Sequence, residues 1–407
     1  ISEISSNLPS VRHYLATDAQ EAAVLNLDSL MASEPSSFAP PELDENDLMF
    51  INYTSGTTGL PKGAMITHRN VLANATNRGI SYHFCHDDRI LIGTPIFHAA
   101  AGMGLMSCFL FGATAVILRE FVPAQYLETI ENERITQGGG VPAQIIFCLE
   151  DPALGKYDYS SLRYCTYGAA PMPADRIKAA MEAFKCKFQQ GFGQTESTSF
   201  LTILNPEDHV VTDPELLNKR LTSCGQASIN VEIRVVDKND RPVENGQIGE
   251  IIARGANIMK GYWRNPEATA ETLRNGWLHT GDLATMDEEG YIYICDRKKD
   301  MIISGGENIY PMEIENVISS HPGVLEVAVI GVPDAKWGEA VKAVVVPRAG
   351  FSLTEQEIIQ FCTENIAGYK KPKSVDLVET LPRNATGKVL KYELREKYWK
   401  DYNRRVH

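Results

Sequence analysis

Short apolar segments alternate with longer amphipathic ones between residues 49 and 184, and this alternation restricts the possible folds more than any other feature of the chain. Strands separated by helices predict an α/β core around a largely parallel sheet, because parallel strands need long crossover connections. Strands are predicted at residues 49–53, 63–66, 89–93, 114–118, 137–141 and 162–167. Helices are predicted from residue 67 toward 79 and over 102–111, 124–134 and 174–184.

The pattern changes after Gly225, where strands follow one another without helices. The predicted strands cover residues 231–237, 249–254, 277–279 and 291–296. Asp287 to Gly290 is predicted to form a hairpin turn between the last two regions. We therefore expect a β-rich subdomain over about residues 222–296, packed on the α/β part.

A small α+β unit is predicted beyond Asp300. Its first helix begins near Pro311, which suits a first helical position, and buries Ile314, Val317 and Ile318. It continues with strands at 325–332, 340–346 and 374–378, a helix opened by a capping box at 354–357, and a basic helix from about residue 388. The predicted fold class is thus α/β, with a large body of parallel or mixed sheets over residues 1–296, which includes the β-rich subdomain, and a small α+β C-terminal domain over residues 300–407.

Charge is distributed unevenly along the 407 residues, whose formal net charge is −13. Residues 1–50 carry nine acidic side chains against one basic, whereas residues 368–407 carry eleven basic against five acidic. This acidic balance argues against a general nucleic-acid-binding protein, and the basic end could guide a phosphorylated small molecule or form a solvated helix face. No apolar run has the length of a membrane span, and the start at Ile1 lacks the pattern of a leader. The eight scattered cysteines predict buried thiols in a reducing cytoplasm.

Residues 53–63 read Tyr-Thr-Ser-Gly-Thr-Thr-Gly-Leu-Pro-Lys-Gly and form the strongest local signal. Glycines let backbone N–H groups approach an anion, hydroxyls add donors, and a lysine adds a positive charge, so the segment predicts a polyphosphate site. Its spacing matches neither a Walker A loop nor GxGxxG. A polar hairpin turn is the alternative interpretation. The predicted phosphate-binding residues are Thr54, Ser55, Gly56, Thr57, Thr58, Gly59 and Lys62.

This segment closely resembles the signature of the adenylate-forming superfamily, which includes acyl-CoA synthetases, peptide-synthetase adenylation domains and luciferases. Further motifs occur in that family's order: Pro95-Ile-Phe-His98, Gly168-Ala-Ala-Pro171, Gly191-Phe-Gly-Gln-Thr-Glu196, Gly261-Tyr-Trp-Arg-Asn-Pro266, Gly276-Trp-Leu-His-Thr-Gly-Asp282, Asp296-Arg-Lys-Lys-Asp300, Ser304-Gly-Gly-Glu-Asn308 and Pro382-Arg-Asn-Ala-Thr-Gly-Lys388. The resemblance spans residues 47 to about 391. It is greatest to fatty or medium/long-chain acyl-CoA ligases, with the usual N-terminal part lacking.

The resemblance implies a reaction in two halves. A carboxylate attacks the α-phosphate of ATP with release of pyrophosphate, and the acyl group then passes to CoA with release of AMP. Thr195 and Glu196 would meet the α-phosphate and Mg²⁺, with Thr54 supporting the metal, and Lys388 would be the catalytic lysine. Phe192 with Gly168 and Ala169 would form the adenine slot. Asp282 would accept hydrogen bonds from the ribose hydroxyls, with Arg297 as a second ribose or phosphate contact. The other implied nucleotide-binding residues are Ala170, Gln190, Gly191, Gly193 and Ile294. Read alone, Phe192 would be core packing, Glu196 a surface carboxylate and Asp282 part of a strand-end turn.

The resemblance also implies sites for the acid, for CoA and for domain rotation. The acyl pocket would involve Phe97, His98, Gly102 and Gly191, with His98 moving between the half-reactions. CoA would contact Ser304, Gly305, Gly306 and Glu307. Lys299 would be the hinge residue, within a hinge over residues 297–299 that joins the body to a mobile C-terminal lid over residues 300–407. No Arg or Lys falls in the candidate pocket segments, which favours a hydrophobic, fatty acid over a charged one; the same Ala-Gly stretch also suits tight helix packing.

Two other functions stay open at this stage. One is an adenylating enzyme with a different acceptor, such as a carrier protein or oxygen. The other is an inactive or partial nucleotide-binding module, because only 53 residues precede Thr54, the first predicted phosphate-binding residue, whereas family members usually have more than a hundred. The expected partners are small molecules and not nucleic acid. Chain length and aliphatic or aromatic preference of the acid, peripheral membrane contact, and a monomeric or homodimeric state stay open.

Overall fold

The computed structural model describes residues 7–17, 24–34, 37–54, 61–383 and 389–400. The chain forms two compact units, Ile1–Asp44 and Glu45–His407. In the first unit, β1 (Leu15–Ala16) pairs in parallel with β2 (Leu25–Asn26), and α1 (Leu27–Ser33) follows directly. The Asn26 side chain accepts a hydrogen bond from Ser29 N and so caps this helix.

The second unit contains the remaining elements. Its strands are β3 (Leu48–Thr54), β4 (Lys62–Thr67), β5 (Arg89–Ile92), β6 (Thr114–Ile117), β7 (Gln137–Gly140), β8 (Tyr164–Gly168), β9 (Lys187–Phe192), β10 (Thr202–Leu204), β11 (Gln226–Ala227), β12 (Val231–Val236), β13 (Gly249–Gly255), β14 (Gly261–Tyr262), β15 (Leu273–Arg274), β16 (Trp277–Met286), β17 (Ile292–Arg297), β18 (Ile302–Ser304), β19 (Glu307–Ile309), β20 (Val324–Asp334), β21 (Gly338–Pro347) and β22 (Ser374–Leu377). Its helices are α2 (His68–Ser81), α3 (Ala99–Phe111), α4 (Pro123–Asn132), α5 (Pro142–Glu150), α6 (Ala174–Phe184), α7 (Pro214–Leu221), α8 (Pro266–Thr272), α9 (Pro311–Ser319), α10 (Glu355–Asn365) and α11 (Lys391–Trp399).

A seven-stranded sheet within the described residues forms the α/β core, in the order β11-β10-β9-β8-β7-β5-β6. Strands β5 to β9 pair in parallel, and β10 and β11 add antiparallel strands at one side. Residues of α4, α5 and α6 pack with β8 and β9 in the largest apolar cluster, which includes Leu127, Ile145, Ile177 and Phe188. The prediction of a mixed, largely parallel sheet is confirmed.

Local sequence explains where the core helices begin. Thr67 caps α2 through a reciprocal capping box with Asn70, and Pro123 and Pro142 stand at the first position of α4 and α5. The sequence analysis did not predict α5, β9 or α7. In β9 the glutamines and glycine lack the β-branched side chains that mark a strand.

Two further sheets belong to the second unit. One has the order β12-β13-β16-β15, with β17 paired to β16, and the other has the order β14-β4-β3. The hairpin turn at Asp287 to Gly290 is confirmed, since Asp287 N donates to Tyr291 O. The expectation of strands without helices was wrong, because α8 lies in this segment. Asn265 caps α8 and Pro266 takes its first position.

The C-terminal region has a sheet in the order β19-β18-β21-β20, with β22 parallel to β21. Helices α9 and α10 supply Ile314, Ile318 and Ile358 to one apolar cluster of this sheet, while Val317 is only partly buried. Helix α11 supplies Leu394 to a second cluster with residues of β20 and β21. The capping box of α10 is present as predicted.

The cysteines differ in their exposure to solvent. Each of the eight cysteines is a free thiol, and five of them are buried. The expectation of burial was wrong for Cys85, which is exposed because it lies in the turn between α2 and β5. Among the described residues, the helices are too short or too polar to cross a membrane.

Candidate functional site

The predicted phosphate segment lies in a hairpin between β3 and β4. Thr54 pairs with Lys62 across the antiparallel ladder, and the Thr54 hydroxyl lies 3.4 Å from the Lys62 carbonyl oxygen, to which it donates. Lys62 is half-buried. Ser55, Gly56, Thr57, Thr58 and Gly59 lie outside the described residues. The hairpin therefore places Thr54 and Lys62, the two ends of the segment, side by side.

Thr195 and Glu196 lie in a single 3-10 turn that follows β9. The Glu196 side chain is only 9% exposed, and its Oε1 accepts a hydrogen bond of 2.7 Å from the Tyr262 hydroxyl. Burial, followed by the neighbouring Glu196 carboxylate, raises the pKa of Tyr262, so the phenol keeps its proton and acts as the donor. The Lys62 ammonium lies 5.2 Å from the centre of the Tyr262 ring. Residues from three different elements thus meet at this tyrosine.

Carboxylate chemistry at Glu196 suits Mg²⁺, which prefers hard oxygen ligands and is commonly held by one or two carboxylates together with substrate phosphates. Among the described residues, no three His, Cys, Asp or Glu side chains cluster closely enough to hold a metal ion by themselves. A metal bound here would therefore take Glu196 and the predicted supporting residue Thr54, with the remaining ligands from phosphate and water. The donor set fits the magnesium ion that the resemblance implies.

The predicted adenine slot coincides with closely spaced backbone. Gly168 on β8 pairs with Gly191 on β9, and a Cβ on Gly168 would lie 2.3 Å from the Gly191 carbonyl oxygen. A Cβ on Gly191 would lie 1.8 Å from the Tyr82 hydroxyl, and one on Gly193 would lie 2.6 Å from Phe200 N. No side chain fits at these positions, so the strand ends present bare peptide planes. Next to them, Ala169 adopts the left-handed conformation at φ 67°, and the exposed Ala170 follows.

Phe192 and Ile294 pack in one cluster with Cys224, Ile251 and Ala284. This contact links β9 to the β-rich sheet and corresponds to the core-packing interpretation of Phe192. Both side chains are only partly buried, so each still has surface that a ligand could cover. Gln190 is buried one position before Gly191, and its Oε1 has no hydrogen-bond partner within the described residues. An unpaired buried amide oxygen suits a site that a ligand completes.

Asp282 and Arg297, both predicted to bind the nucleotide, face each other across β16 and β17. Arg297 Nε lies 3.3 Å from Asp282 Oδ1, and the Asp282 side chain is almost fully buried. Gly281 precedes the aspartate with a left-handed φ of 73°, which lets the strand turn just before it. The sequence-predicted ribose carboxylate is therefore fixed beside a cation.

A second buried carboxylate, Glu250 on β13, holds this turn in place. Its Oε1 accepts from Gly281 N at 3.2 Å, and its Oε2 accepts from Lys298 Nζ at 3.0 Å. Lys298 N also donates to Gly281 O at 2.8 Å. Burial alone would raise the pKa of Glu250, but Lys298 and His279 outweigh it and lower the pKa. Sequence analysis assigned no role to Glu250.

The predicted hinge lies in a hydrogen-bonded turn. Arg297 O accepts from Asp300 N at 2.9 Å and from Met301 N at 3.1 Å. Asp296 Oδ2 accepts from Met312 N at 2.8 Å, so it caps α9 from the preceding strand β17. Burial raises the pKa of Asp296 to about 6.

Helix α11 contacts the same turn. Arg395 Nη1 donates to the carbonyl oxygen of the exposed Lys299 at 3.0 Å, and its guanidinium also pairs with the Asp300 carboxylate. Lys388 lies outside the described residues. The turn is therefore held by the C-terminal helix as well as by β17.

The predicted CoA motif forms the β18–β19 hairpin. Ser304 and Glu307 pair across it, and Gly305 and Gly306 form the two-residue turn with φ of 63° and 88°. Both angles favour glycine, and the pattern is that of a type I′ turn. A Cβ on Gly305 would lie 2.5 Å from the Trp337 ring, so this tryptophan packs against bare backbone.

The predicted acyl pocket surrounds the start of α3. His98 is the N-cap residue of α3, whereas the Phe97 side chain is 72% exposed. A Cβ on Gly102 would lie 2.9 Å from Ile96 O, which means that the helix start packs tightly against the preceding turn. From α2, Arg78 Nη1 donates to Ala100 O at 2.9 Å. Sequence analysis missed this cation, because α2 was not among the segments assigned to the pocket.

The α/β fold, the closely spaced glycines of β8 and β9 and the buried carboxylates Glu196 and Asp282 together fit the class of AMP-binding enzymes. The chain belongs to the AMP-binding enzyme family, whose family model matches residues 2–263. The model of the AMP-binding enzyme C-terminal domain matches residues 313–388. The predictions of an adenylate-forming, CoA-ligase-like enzyme and of its α/β fold class are confirmed.

Comparison with individual proteins agrees with this assignment. The chain is 43% identical over 362 residues to feruloyl-CoA synthase of Amycolatopsis sp, covering 88% of this chain and 72% of that protein. It is 41% identical over 372 residues to long-chain-fatty-acid–CoA ligase FadD13 of Mycobacterium tuberculosis (strain CDC 1551 / Oshkosh), covering 91% and 71%. The crystal structure of ATP-bound MatB from Rhodopseudomonas palustris superposes with a TM-score of 0.84 at 35% identity, covering 94% of this chain and 74% of that one.

Proposed function

We propose that this protein is an ATP-dependent acid–CoA ligase that activates a hydrophobic carboxylic acid as its adenylate and transfers the acyl group to CoA. The observation that carries the proposal is the buried Glu196 carboxylate, held by Tyr262 next to Lys62 at the end of the phosphate hairpin. A carboxylate that can bind a metal ion lies here close to an ammonium group that can bind phosphate. This arrangement suits nucleophilic attack at a phosphoryl centre.

In the first half-reaction, Lys62 and the segment 55–59 would hold the β- and γ-phosphates, and Asp282 with Arg297 would hold the ribose. Gly168, Gly191 and Phe192 would enclose the adenine. Magnesium, when bound, supplies charge neutralisation at the phosphates; Glu196 and Thr54 are the residues that would hold it. Lys388 would stabilise the charge that builds up as the acid carboxylate attacks the α-phosphate, expelling pyrophosphate.

In the second half-reaction, the lid over residues 300–407 would rotate at Lys299 relative to the body over residues 1–296. The hairpin with Gly305 and Gly306 would then line the path of the CoA thiol, which attacks the acyl carbon and expels AMP. Side-chain contacts on both sides of Lys299 support a hinge at this position. Glu250 holds Lys298 on the body side, while Arg395 holds Asp300 on the lid side.

A hydrophobic acid is supported by the composition of α3, which carries no charged side chain between Ala99 and Phe111. Two of the matched ligases carry ferulate and long-chain fatty acid in their names, so aryl and aliphatic tails both belong in a substrate panel. A nonpolar pocket discriminates between such tails mainly by shape and length.

The test is release of pyrophosphate with ATP, Mg²⁺ and a panel of fatty and aryl acids, measured with and without CoA. Turnover and thioester formation that require CoA are the expected result. Pyrophosphate or adenylate without thioester would indicate another acceptor. ATP binding without turnover on any acid would contradict the proposal.

A variant separates the two half-reactions. Lys388→Ala should abolish adenylate formation while sparing thioester formation from supplied acyl-AMP, because the lysine acts at the phosphorus and not at the thiol. Equal loss of both half-reactions would contradict the assigned role.

A further inference from the structure

Tyr262 contacts two oppositely charged groups of the proposed site. Its hydroxyl donates to Glu196 Oε1 at 2.7 Å, and its ring lies under the Lys62 ammonium at 5.2 Å from the ring centre. The side chain is 6% exposed. The motif that contains Tyr262, residues 261–266, is one of those that carry the family resemblance, but no function was predicted for it.

Backbone pairing explains why the tyrosine reaches Lys62. Tyr262 on β14 pairs with Ala64 on β4, and Lys62 lies two residues earlier on β4. Residues two apart along a strand point to the same face, so Lys62 and Tyr262 are diagonal neighbours. Trp263 N donates to Gly63 O at 2.7 Å and extends this pairing.

The tyrosine is also fixed from its other side. Tyr262 N donates to the Thr269 hydroxyl at 2.9 Å. Gly261 has φ 145°, and a Cβ there would lie 2.7 Å from Thr269 Cγ2, so the chain can approach α8 this closely only with glycine. These contacts fix the backbone from which the Tyr262 side chain extends.

The backbone of the Glu196 turn is held by the same segment. Met259 N donates to Glu196 O at 2.9 Å, and the Thr198 hydroxyl donates to Asn257 O at 2.6 Å. These bonds fix the turn but leave the Glu196 side-chain torsions free. The bond from Tyr262 to Oε1 is the contact that selects one orientation of the carboxylate.

We propose that Tyr262 is a positioning residue: its hydroxyl holds Oε1 of Glu196 so that Oε2 faces the metal ion, and its ring restrains Lys62 near the phosphates. The inference rests on the proposed function, since it requires Glu196 as a metal ligand. Hydrogen-bonding partners of metal ligands orient them, and loss of such a partner typically weakens metal binding about 10- to 100-fold.

The experiment measures Mn²⁺ binding by electron paramagnetic resonance in the presence of a non-hydrolysable ATP analogue. Tyr262→Phe removes the hydroxyl and keeps the ring, so Mn²⁺ affinity should fall about 10- to 100-fold while metal-free affinity for the analogue stays unchanged. Tyr262→Leu also removes the ring, and its metal-free affinity for the analogue should fall about 2- to 30-fold relative to the wild type, roughly the worth of a cation–π contact.

Tyr291→Phe is the matched control, because the buried Tyr291 hydroxyl donates to Asp208 Oδ1 at 2.5 Å in a comparable tyrosine–carboxylate pair, neither member of which is assigned to the site. This variant should lose stability but bind Mn²⁺ like the wild type. Unchanged Mn²⁺ affinity in Tyr262→Phe, or an equal loss in Tyr291→Phe, would overturn the inference.

Mn²⁺ binding by the wild type and by Glu196→Gln distinguishes failure of this inference from failure of the proposed function. If the wild type binds Mn²⁺ with the analogue but Glu196→Gln binds it equally well, the assignment of Glu196 as the metal ligand is wrong and the inference falls with it. If Glu196→Gln loses the ion and Tyr262→Phe does not, Glu196 stands and only the role of Tyr262 is refuted.

Discussion

Asp296 should make stability depend on pH in an unusual direction. Its carboxylate is 3% exposed, accepts from Arg297 N and Met312 N, and has a pKa that burial raises from 3.8 to about 6. Between these two values the folded protein retains a proton that the unfolded chain has lost. The contribution of Asp296 to the free energy of unfolding is therefore largest below pH 4 and is lost as the pH rises toward 6.

The size of the effect follows from the shift. Two pKa units at about 1.4 kcal/mol each correspond to about 3 kcal/mol of unfolding free energy. Asp296→Asn cannot ionise, so the stability of the wild type relative to this variant should fall by about 3 kcal/mol between pH 4 and pH 7.5. Urea denaturation of both proteins across this range measures the difference, and pH effects from all other groups cancel.

Asp300→Asn is the control for this measurement. Burial would raise the pKa of Asp300, but Arg395 and Lys391 outweigh burial and lower it, so its contribution should be constant above about pH 4. A difference between wild type and Asp296→Asn that stays flat from pH 4 to pH 7.5 would refute the reasoning. A stability of the wild type relative to Asp296→Asn that increases with rising pH would refute it as well.

Two other substitutions probe the nucleotide strands and a helix start. Gly168→Val should reduce affinity for an ATP analogue more than tenfold in calorimetry, since its Cβ would lie 2.3 Å from Gly191 O. Unchanged affinity in a folded variant would argue against the adenine slot. Thr354→Ala removes the bonds that the Thr354 hydroxyl makes with Glu357 but keeps the bond from residue 354 N to Glu357 Oε2, and it should lower the free energy of unfolding by about 1 kcal/mol without changing kcat; a drop in kcat at full stability would contradict this expectation.

Local signals made much of the fold predictable. Thr67 and Asn70 form the cap that starts α2, and Thr354 and Glu357 form the one that starts α10. Each such motif depends on residues three apart, so it can be read from a short window. The predicted helix over residues 174–184 matches α6 at both ends.

Contacts between distant segments were not predictable in the same way. Tyr262 and Glu196 are 66 positions apart, and Arg78 and Ala100 are 22 apart. Nothing in either local pattern specifies which strand register or helix packing brings them together. Helix α8 was missed for a different reason: Asn265 and Pro266 are start signals, but the surrounding strands suggested a purely β segment.

The hydrogen bonds of the hinge turn also set an energy scale for domain rotation. Rotation at the proposed hinge would break three hydrogen bonds. Two are donated by Asp300 N and Met301 N to Arg297 O, and one is donated by Met312 N to the Asp296 carboxylate. At about 1 kcal/mol for each neutral bond and up to about 3 kcal/mol for the carboxylate, they favour the present arrangement by about 3 to 5 kcal/mol. A ligand that prefers the rotated arrangement by between about 100-fold and several thousand-fold is therefore sufficient to reverse the balance.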